Sequence, residues 1–202
     1  MKITAFKVQL KNPERVSVFV DGQYSFSLSL NELAEYKLKN DDELTAAGVK
    51  KFKKISANGK LKAHSLAWLL NRPHSTREFH DYLRRKKAGS ELAEKLSQEF
   101  SAKKYLDDAA YGRWLVELRT RAGKSNRAIS AELFKKGLGR ELVDEMLTGE
   151  ITSETDRLRS LIDKKRKISR YAKDPRKLVQ YLTSQGFSYS LIKQVLAENN
   201  HG

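Results

Sequence analysis

The chain has 202 residues, of which 39% are hydrophobic and 32% charged, and its 40 lysines and arginines outnumber 25 acids for a formal net charge of +15. It contains no cysteine, which excludes a disulfide framework, a thiol nucleophile and thiolate zinc ligation. A modest apolar share suits several small cores, and the basic excess points to a polyanionic partner such as nucleic acid or a complex containing it.

That charge is uneven. Basic and acidic residues number 10 and 7 in residues 1–57, 11 and 5 in 58–106, 8 and 8 in 107–152, and 11 and 5 in 153–202. The two arms thus carry the excess and the third segment is neutral. The opening MKITAFKVQL has no apolar signal core, and no apolar run approaches membrane-spanning length. A soluble cytoplasmic protein without a membrane partner is expected.

Residues 15–30, RVSVFVDGQYSFSLSL, alternate apolar and polar around Asp21-Gly22, the pattern of a β-hairpin. A two-residue loop would set Val18 opposite Ser25 and mix the faces. A three-residue loop, Asp21 to Gln23, sets Val20 against Tyr24, Val18 against Phe26 and Val16 against Leu28, and is the preferred register. Ile3 to Leu10 supplies a third strand. Asn31 is placed to cap a short helix running to Lys37, and a further helix from about Thr45 carries Val49, Phe52 and Ser56 on one side. Ala57-Asn58-Gly59-Lys60 reads as a boundary.

Beyond it, sliding the chain on itself by 47 to 50 residues aligns three helical units. Each first helix has an apolar stripe at i, i+3, i+4, i+7: Ala63, Leu66, Ala67 and Leu70; Tyr111, Trp114, Leu115 and Leu118; Leu158, Leu161 and Ile162, ended by Lys165. Each second helix begins at a capping residue, Ser75, Ser125 or Asp174, with Glu78 completing a capping box on Ser75. Core positions coincide as Phe79, Ile129, Leu178 and as Leu83, Leu133, Leu182. Lys87, Gly137 and Gly186 follow, the glycines suiting a left-handed helix end. Third helices repeat apolar pairs, with Ser97 interrupting the first copy.

Between first and second helices the connection is basic every time and lengthens along the chain. It holds Arg72 and His74, then Arg119, Arg121 and Lys124, then Lys164, Lys165, Arg166, Lys167, Arg170 and Lys173. Two residues after each cap stands an arginine: Arg77, Arg127 and Arg176. Positive charge there opposes the helix dipole, so the three corners are expected to seek anions. Arg84 and Arg85 end a second helix, where cations suit the dipole, and join the list of candidate binding residues. The four histidines show no metal-ligand spacing, Asp107-Asp108 reads as a helix cap, and no phosphate loop is present. Neither catalysis, cofactor nor metal is expected.

Four segments carry a family resemblance: RPHSTREFHDYLRRK (Arg72 to Lys86), YLDDAAYGRWLVELR (Tyr105 to Arg119), AISAELFKKG (Ala128 to Gly137) and QGFSYSLIKQVL (Gln185 to Leu196). In this order and spacing they resemble the RecX family of bacterial recombination regulators, and VFVDGQYSFSLS (Val18 to Ser29) is similar to the extension some members carry. One departure is Tyr111-Gly112, where the family pattern has an aromatic residue followed by alanine. The resemblance implies a non-enzymatic monomer that binds the RecA–DNA filament along its helical groove, touching protein and single- or double-stranded DNA, and usually inhibits recombinase, ATPase and coprotease activities. A general DNA- or RNA-binding protein built from helix-turn-helix-like triplets is the competing reading.

The expected fold is mainly α: an elongated, curved array of three tandem three-helix repeats after a small β-hairpin-containing module. The expected modules are residues 1–58, 59–105, 106–152 and 153–202.

Overall fold

The computed structural model describes residues 1–148 and 153–198. Their order is β1 (Ile3–Gln9), β2 (Asn12–Val20), β3 (Gln23–Ser29), α1 (Leu30–Tyr36), α2 (Ala46–Leu70), α3 (Thr76–Arg85), α4 (Ser90–Ala102), α5 (Asp108–Arg121), α6 (Asn126–Lys135), α7 (Arg140–Thr148), α8 (Glu154–Arg166), α9 (Ser169–Ala172), α10 (Pro175–Ser184) and α11 (Tyr189–Glu198). The chain is mainly helical, with one three-stranded antiparallel sheet at its N-terminal end. It divides into two compact units, residues 1–71 with 86–96, and residues 72–85 with 97–202.

In the first unit, Ile3, Val18, Val20, Phe26 and Leu28 turn to one face of the sheet and close over Phe52 of α2. Phe26 and Phe52 stack at 5.3 Å between ring centres. The hairpin corrects the expected register near its turn. Asp21 and Gly22 both have positive φ, 49° and 81°, the requirement of a two-residue primed turn, so Val20 pairs with Gln23 and Phe19 with Tyr24. A register shift after Phe19 leaves Ser25 extra, and beyond it Val18 meets Phe26 and Val16 meets Leu28 as expected. A bulge thus reconciles the tight turn with a one-sided core.

Ser29, not Asn31, caps α1. It accepts from Glu32 N at 3.2 Å while the Glu32 carboxylate accepts from Ser29 N at 2.7 Å, a reciprocal box that Asn31 could not form with its own neighbours. Thr45 caps α2 through Gly48 N at 3.0 Å, and the helix then runs 25 residues without a break. The boundary expected at residues 57–60 is therefore absent as a helix end. Gly59 is there for proximity: a Cβ would stand 2.7 Å from Glu32 Oε1 and 3.2 Å from Arg15 Nη1. Arg15 is buried and donates to Ser27 O at 2.7 Å and Ser27 Oγ at 3.2 Å. The helix accepts glycine's cost of about 1 kcal/mol because that buried guanidinium needs the space. Past Gly59 the buried positions are Ser65 and Leu69, while Ala63 and Ala67 are exposed and Leu70 is 65% exposed. The stripe expected here shares the side of α2 that carries Val49 and Phe52, but past Gly59 the helix buries roughly the opposite side, with Ser65 and Leu69.

In the second unit, the expected core positions of the second helices are buried in all three copies: Phe79 and Leu83, Ile129 and Leu133, Leu178 and Leu182. One core gathers Tyr111, Leu115, Val116, Ile129, Leu133, Leu138 and Val143 from α5 to α7. Another gathers Leu158, Leu161, Ile162, Leu178, Leu182, Phe187, Ile192 and Val195 from α8 to α11. Leu118 belongs to neither stripe nor core, at 40% exposure. Its expected place is taken by Gly112 and Val116. Gly112 answers the departure noted at that position: a Cβ would lie 2.5 Å from Met146 Sδ and 2.8 Å from Leu138 Cδ2. Ser97 does not interrupt α4, since it is buried and its hydroxyl pairs with His80 Nε2 at 3.3 Å.

Candidate nucleic-acid interface

The three second-helix caps form as read from the sequence. Ser75 Oγ accepts from Glu78 N at 3.1 Å, Ser125 Oγ from Ala128 N at 3.1 Å, and Asp174 from Arg176 N at 3.0 Å and Lys177 N at 3.3 Å. Two residues on, Arg77, Arg127 and Arg176 are all exposed. The tertiary structure then treats the three corners differently.

At the first corner Arg72 is held. Its guanidinium donates to the Glu78 carboxylate at 3.1 and 3.4 Å and to Pro73 O at 2.7 Å, and it lies 5.1 Å from the centre of the Trp114 ring. Glu78 gives only its backbone N–H to the Ser75 cap and does not close the expected box: its carboxylate turns instead to Arg72, to His74 Nδ1 at 3.2 Å and to Lys136 Nζ at 2.6 Å. Burial works against its charge, but the hydrogen bonds and charges of Lys136 and Arg72 win, holding its pKa at about 2. The N–H of Thr76, at the helix start, is already taken by Asp108 Oδ1 at 2.7 Å. Asp107 caps α5 through Ala109 N and Ala110 N, as expected of the pair, whereas Asp108 serves a different helix.

The second corner repeats this closure. Arg119 makes a two-pronged pair with Glu132, both contacts 2.7 Å, which raises the arginine's pKa and lowers the glutamate's. Arg121 pairs with Glu117. Asn126 N is taken by Glu154 Oε1 at 2.8 Å. Lys124, half-buried, and the exposed Arg127 remain without an acid bonded to them among the described residues. Tyr111 is pushed up to about 12, chiefly by burial and further by the Glu78 carboxylate, so its phenol stays neutral.

The third corner is open. Its connection contains the unforeseen helix α9, while the other two, residues 71–75 and 122–125, are short. The expected steady lengthening is thus wrong, and the extra residues are confined to the last copy. Lys164, Lys167, Arg170 and Arg176 are exposed and Lys165 and Arg166 half-exposed. Lys165 Nζ sits 4.5 Å from the centre of the Tyr181 ring and 5.8 Å from that of Tyr171, and Arg170 lies 5.7 Å from Tyr171. Of the helix-end residues, Arg84 pairs with Asp81 and Arg85 is exposed. Among the described residues no cluster of three or more His, Asp or Glu could hold a metal, and no helix is long and apolar enough to cross a membrane.

The sequence reading missed Asp108, Glu154 and the Tyr171–Tyr181 pair. The two acids reach back 32 and 28 residues, so no single repeat period aligns them. What they share is position, at the start of the next unit's first helix.

Family comparisons agree with this architecture. Residues 1–45 match the regulatory protein RecX N-terminal domain, 107–147 the second three-helix domain of RecX and 152–196 the third. The regulatory protein RecX of Lactobacillus delbrueckii subsp. bulgaricus is 32% identical over 92% of this chain and 70% of its own length. The chain belongs to the RecX family. A RecX regulatory protein from Listeria monocytogenes serovar 1/2a is 29% identical over 98% of the chain and 76% of its own length. One RecX crystal structure superposes with a TM-score of 0.71 at 22% identity over 97% of this chain and 98% of that one. RecX from Lactobacillus salivarius gives 0.60 at 20% identity over 72% and 98%. Those two likenesses establish the fold: tandem three-helix units after an N-terminal sheet. The RecX relatives are named regulatory proteins, and in this chain an exposed arginine stands at the second position of each second helix, Arg77, Arg127 and Arg176.

Proposed function

We propose that this RecX-family chain is a non-enzymatic regulator that binds the RecA–DNA nucleoprotein filament along its helical groove and modulates its ATPase, strand-exchange and coprotease activities, with inhibition as the expected direction. The observation that carries the reading is the threefold recurrence of an exposed arginine at the second position of the second helix, Arg77, Arg127 and Arg176. Stability alone would favour an acid there. Three weak contacts recurring 50 and 49 residues apart in the chain add through multivalency on a periodic partner, so a filament is a better match than one isolated anion. The chain acts in this reading as a cytoplasmic monomer, and its modules are residues 1–58, 59–105, 106–152 and 153–202, the first two sharing the continuous helix α2.

The test is co-sedimentation with RecA–single-stranded-DNA filaments, alongside an ATPase time course. Preference for coated over naked DNA at fixed ionic strength, with slowed ATP hydrolysis, is the expected result. Equal binding to naked DNA and to filaments would replace this reading by general DNA or RNA binding through helix-turn-helix-like triplets, which the open third corner favours. Charge reversal at Arg77, Arg127 and Lys165 together should weaken filament binding while the far-ultraviolet dichroism stays helical.

A further inference from the structure

We propose that residues 164–177, the end of α8, α9 and the start of α10, form the DNA grip of this chain, holding phosphodiester groups without reading bases. This deepens the filament reading by separating the part that touches DNA from the parts that do not.

The argument begins with charge closure. Between Lys164 and Ala197 nine lysines and arginines face a single acid, Asp174. That carboxylate is occupied by the backbone of Arg176 and Lys177 and by Lys177 Nζ at 3.3 Å. Among the described residues no other carboxylate is bonded to this corner. The first two corners differ in kind: Arg72, Arg119 and Arg121 are paired with acids, and Thr76 N and Asn126 N are filled by Asp108 and Glu154. An anion approaching either of those must displace a carboxylate that is already seated. At the third the one seated carboxylate is Asp174, and Lys164, Lys167, Arg170 and Arg176 have no acid bonded to their side chains among the described residues.

Helix stability does not account for the cluster. Lys164, Lys165 and Arg166 sit in the last turn of α8, where the dipole favours them. Arg170, Lys173, Arg176 and Lys177 lie before or within the first turn of α10, where it does not. Repulsion among so many cations is relieved by an external polyanion.

The aromatic pair sets the mode of contact. Tyr171 and Tyr181 lie 5.4 Å apart, tilted by 46°, and pack against the α8–α11 core. Their faces carry Lys165 and Arg170. Rings covered in this way fix cations instead of stacking bases, unlike the open platforms of sequence-tolerant single-strand binders. Backbone contact without base contact follows.

The experiment uses the full chain with Lys164, Lys167, Arg170 and Arg176 all changed to Gln, against a comparator carrying R77Q and R127Q. Fluorescence anisotropy with labelled oligo-dT and with a mixed-sequence strand is read across a salt series. Four lost phosphate contacts should reduce the slope of log K against log salt by about 3, and affinity on the order of several hundredfold near 0.1 M salt. Both strands should lose equally, and the comparator should lose far less. If the fourfold variant loses its helical dichroism, K167Q with R176Q should still reduce the slope by about 1.4. An unchanged slope in folded variants overturns the grip. So does normal oligonucleotide binding with lost filament co-sedimentation, which would make the corner a protein contact and leave the filament reading standing. Should the wild-type chain ignore RecA filaments, that reading fails, and the oligonucleotide slopes still decide the grip.

Discussion

Gly186→Ala tests the packing of one repeat on the next. Gly186 has φ +98°, and a Cβ there would lie 2.4 Å from Ser125 Oγ and 2.7 Å from Ala128 Cβ. Two costs follow. A non-glycine residue held in that region of backbone space is strained by roughly 1–3 kcal/mol. The Ser125 hydroxyl that caps α6 must also move, and losing such a cap costs about 1 kcal/mol. Backbone between the two sites is coupled as well, since Ser125 N donates to Gln185 O at 3.1 Å. The expected destabilisation is therefore about 2–4 kcal/mol. Gly137→Ala is the internal control. Its φ is +92°, but the added Cβ meets only Arg77 Cβ at 3.0 Å and Cδ at 3.3 Å, a side chain that can yield, so about 1–2 kcal/mol is expected. At the corresponding place in the first unit the chain carries Lys87 at φ +57°, and Lys87→Gly should stabilise by up to about 1 kcal/mol. Urea denaturation followed by Trp114 fluorescence in a W68F background reads the two glycine variants, and Trp68 in a W114F background reads the third, with unchanged m-values required. Gly186→Ala costing less than Gly137→Ala would refute the close approach of α6 to the turn after α10.

Glu78 should confer an acid-sensitive share of stability. Its folded pKa of about 2 lies below the ordinary 4.5, so the contribution is whole above pH 4.5 and disappears as pH falls through about 2. With the side chain only 13% exposed, the shift corresponds to at most about 3 kcal/mol. Glu78→Gln should destabilise by roughly that amount at neutral pH and flatten the loss of stability on acidification; a parallel pH curve would contradict the hub. Arg15→Ala should destabilise the N-terminal sheet by about 2 kcal/mol, because Ser27 and Ser56 lose a buried donor, as measured by amide exchange in β2 and β3. A double-mutant cycle on Arg119 and Glu132 should return a coupling of only about 0.5–1 kcal/mol, since both side chains are about a third exposed. That coupling should vanish in molar salt.

Much of this chain was legible without its structure, and the legible parts are local. Caps at Ser75, Ser125 and Asp174 depend on residues two or three positions away. The buried positions Ile129, Leu133, Leu178 and Leu182 follow from helical period, and Gly137 and Gly186 follow from the chirality of a helix end. Where local rules competed, the reading slipped. Ser29 won the cap from Asn31 because Glu32 could return its bond, and a bulge allowed the hairpin both a two-residue turn and a one-sided core. Gly59 looked like punctuation because nothing nearby in sequence announces Glu32 and Arg15.

By itself, then, the sequence determined the repeat, its register and the recurrence of an arginine at each corner. Only the tertiary structure decided which of those basic residues are spent. Arg72 is neutralised through Glu78, itself bonded to Lys136 58 residues away, and the first two helix starts are filled by acids 32 and 28 residues distant. Such pairings depend on how one unit stacks on the next, which no local pattern encodes. Residues 164–177 keep their charge because, among the described residues, the fold brings them no further acid.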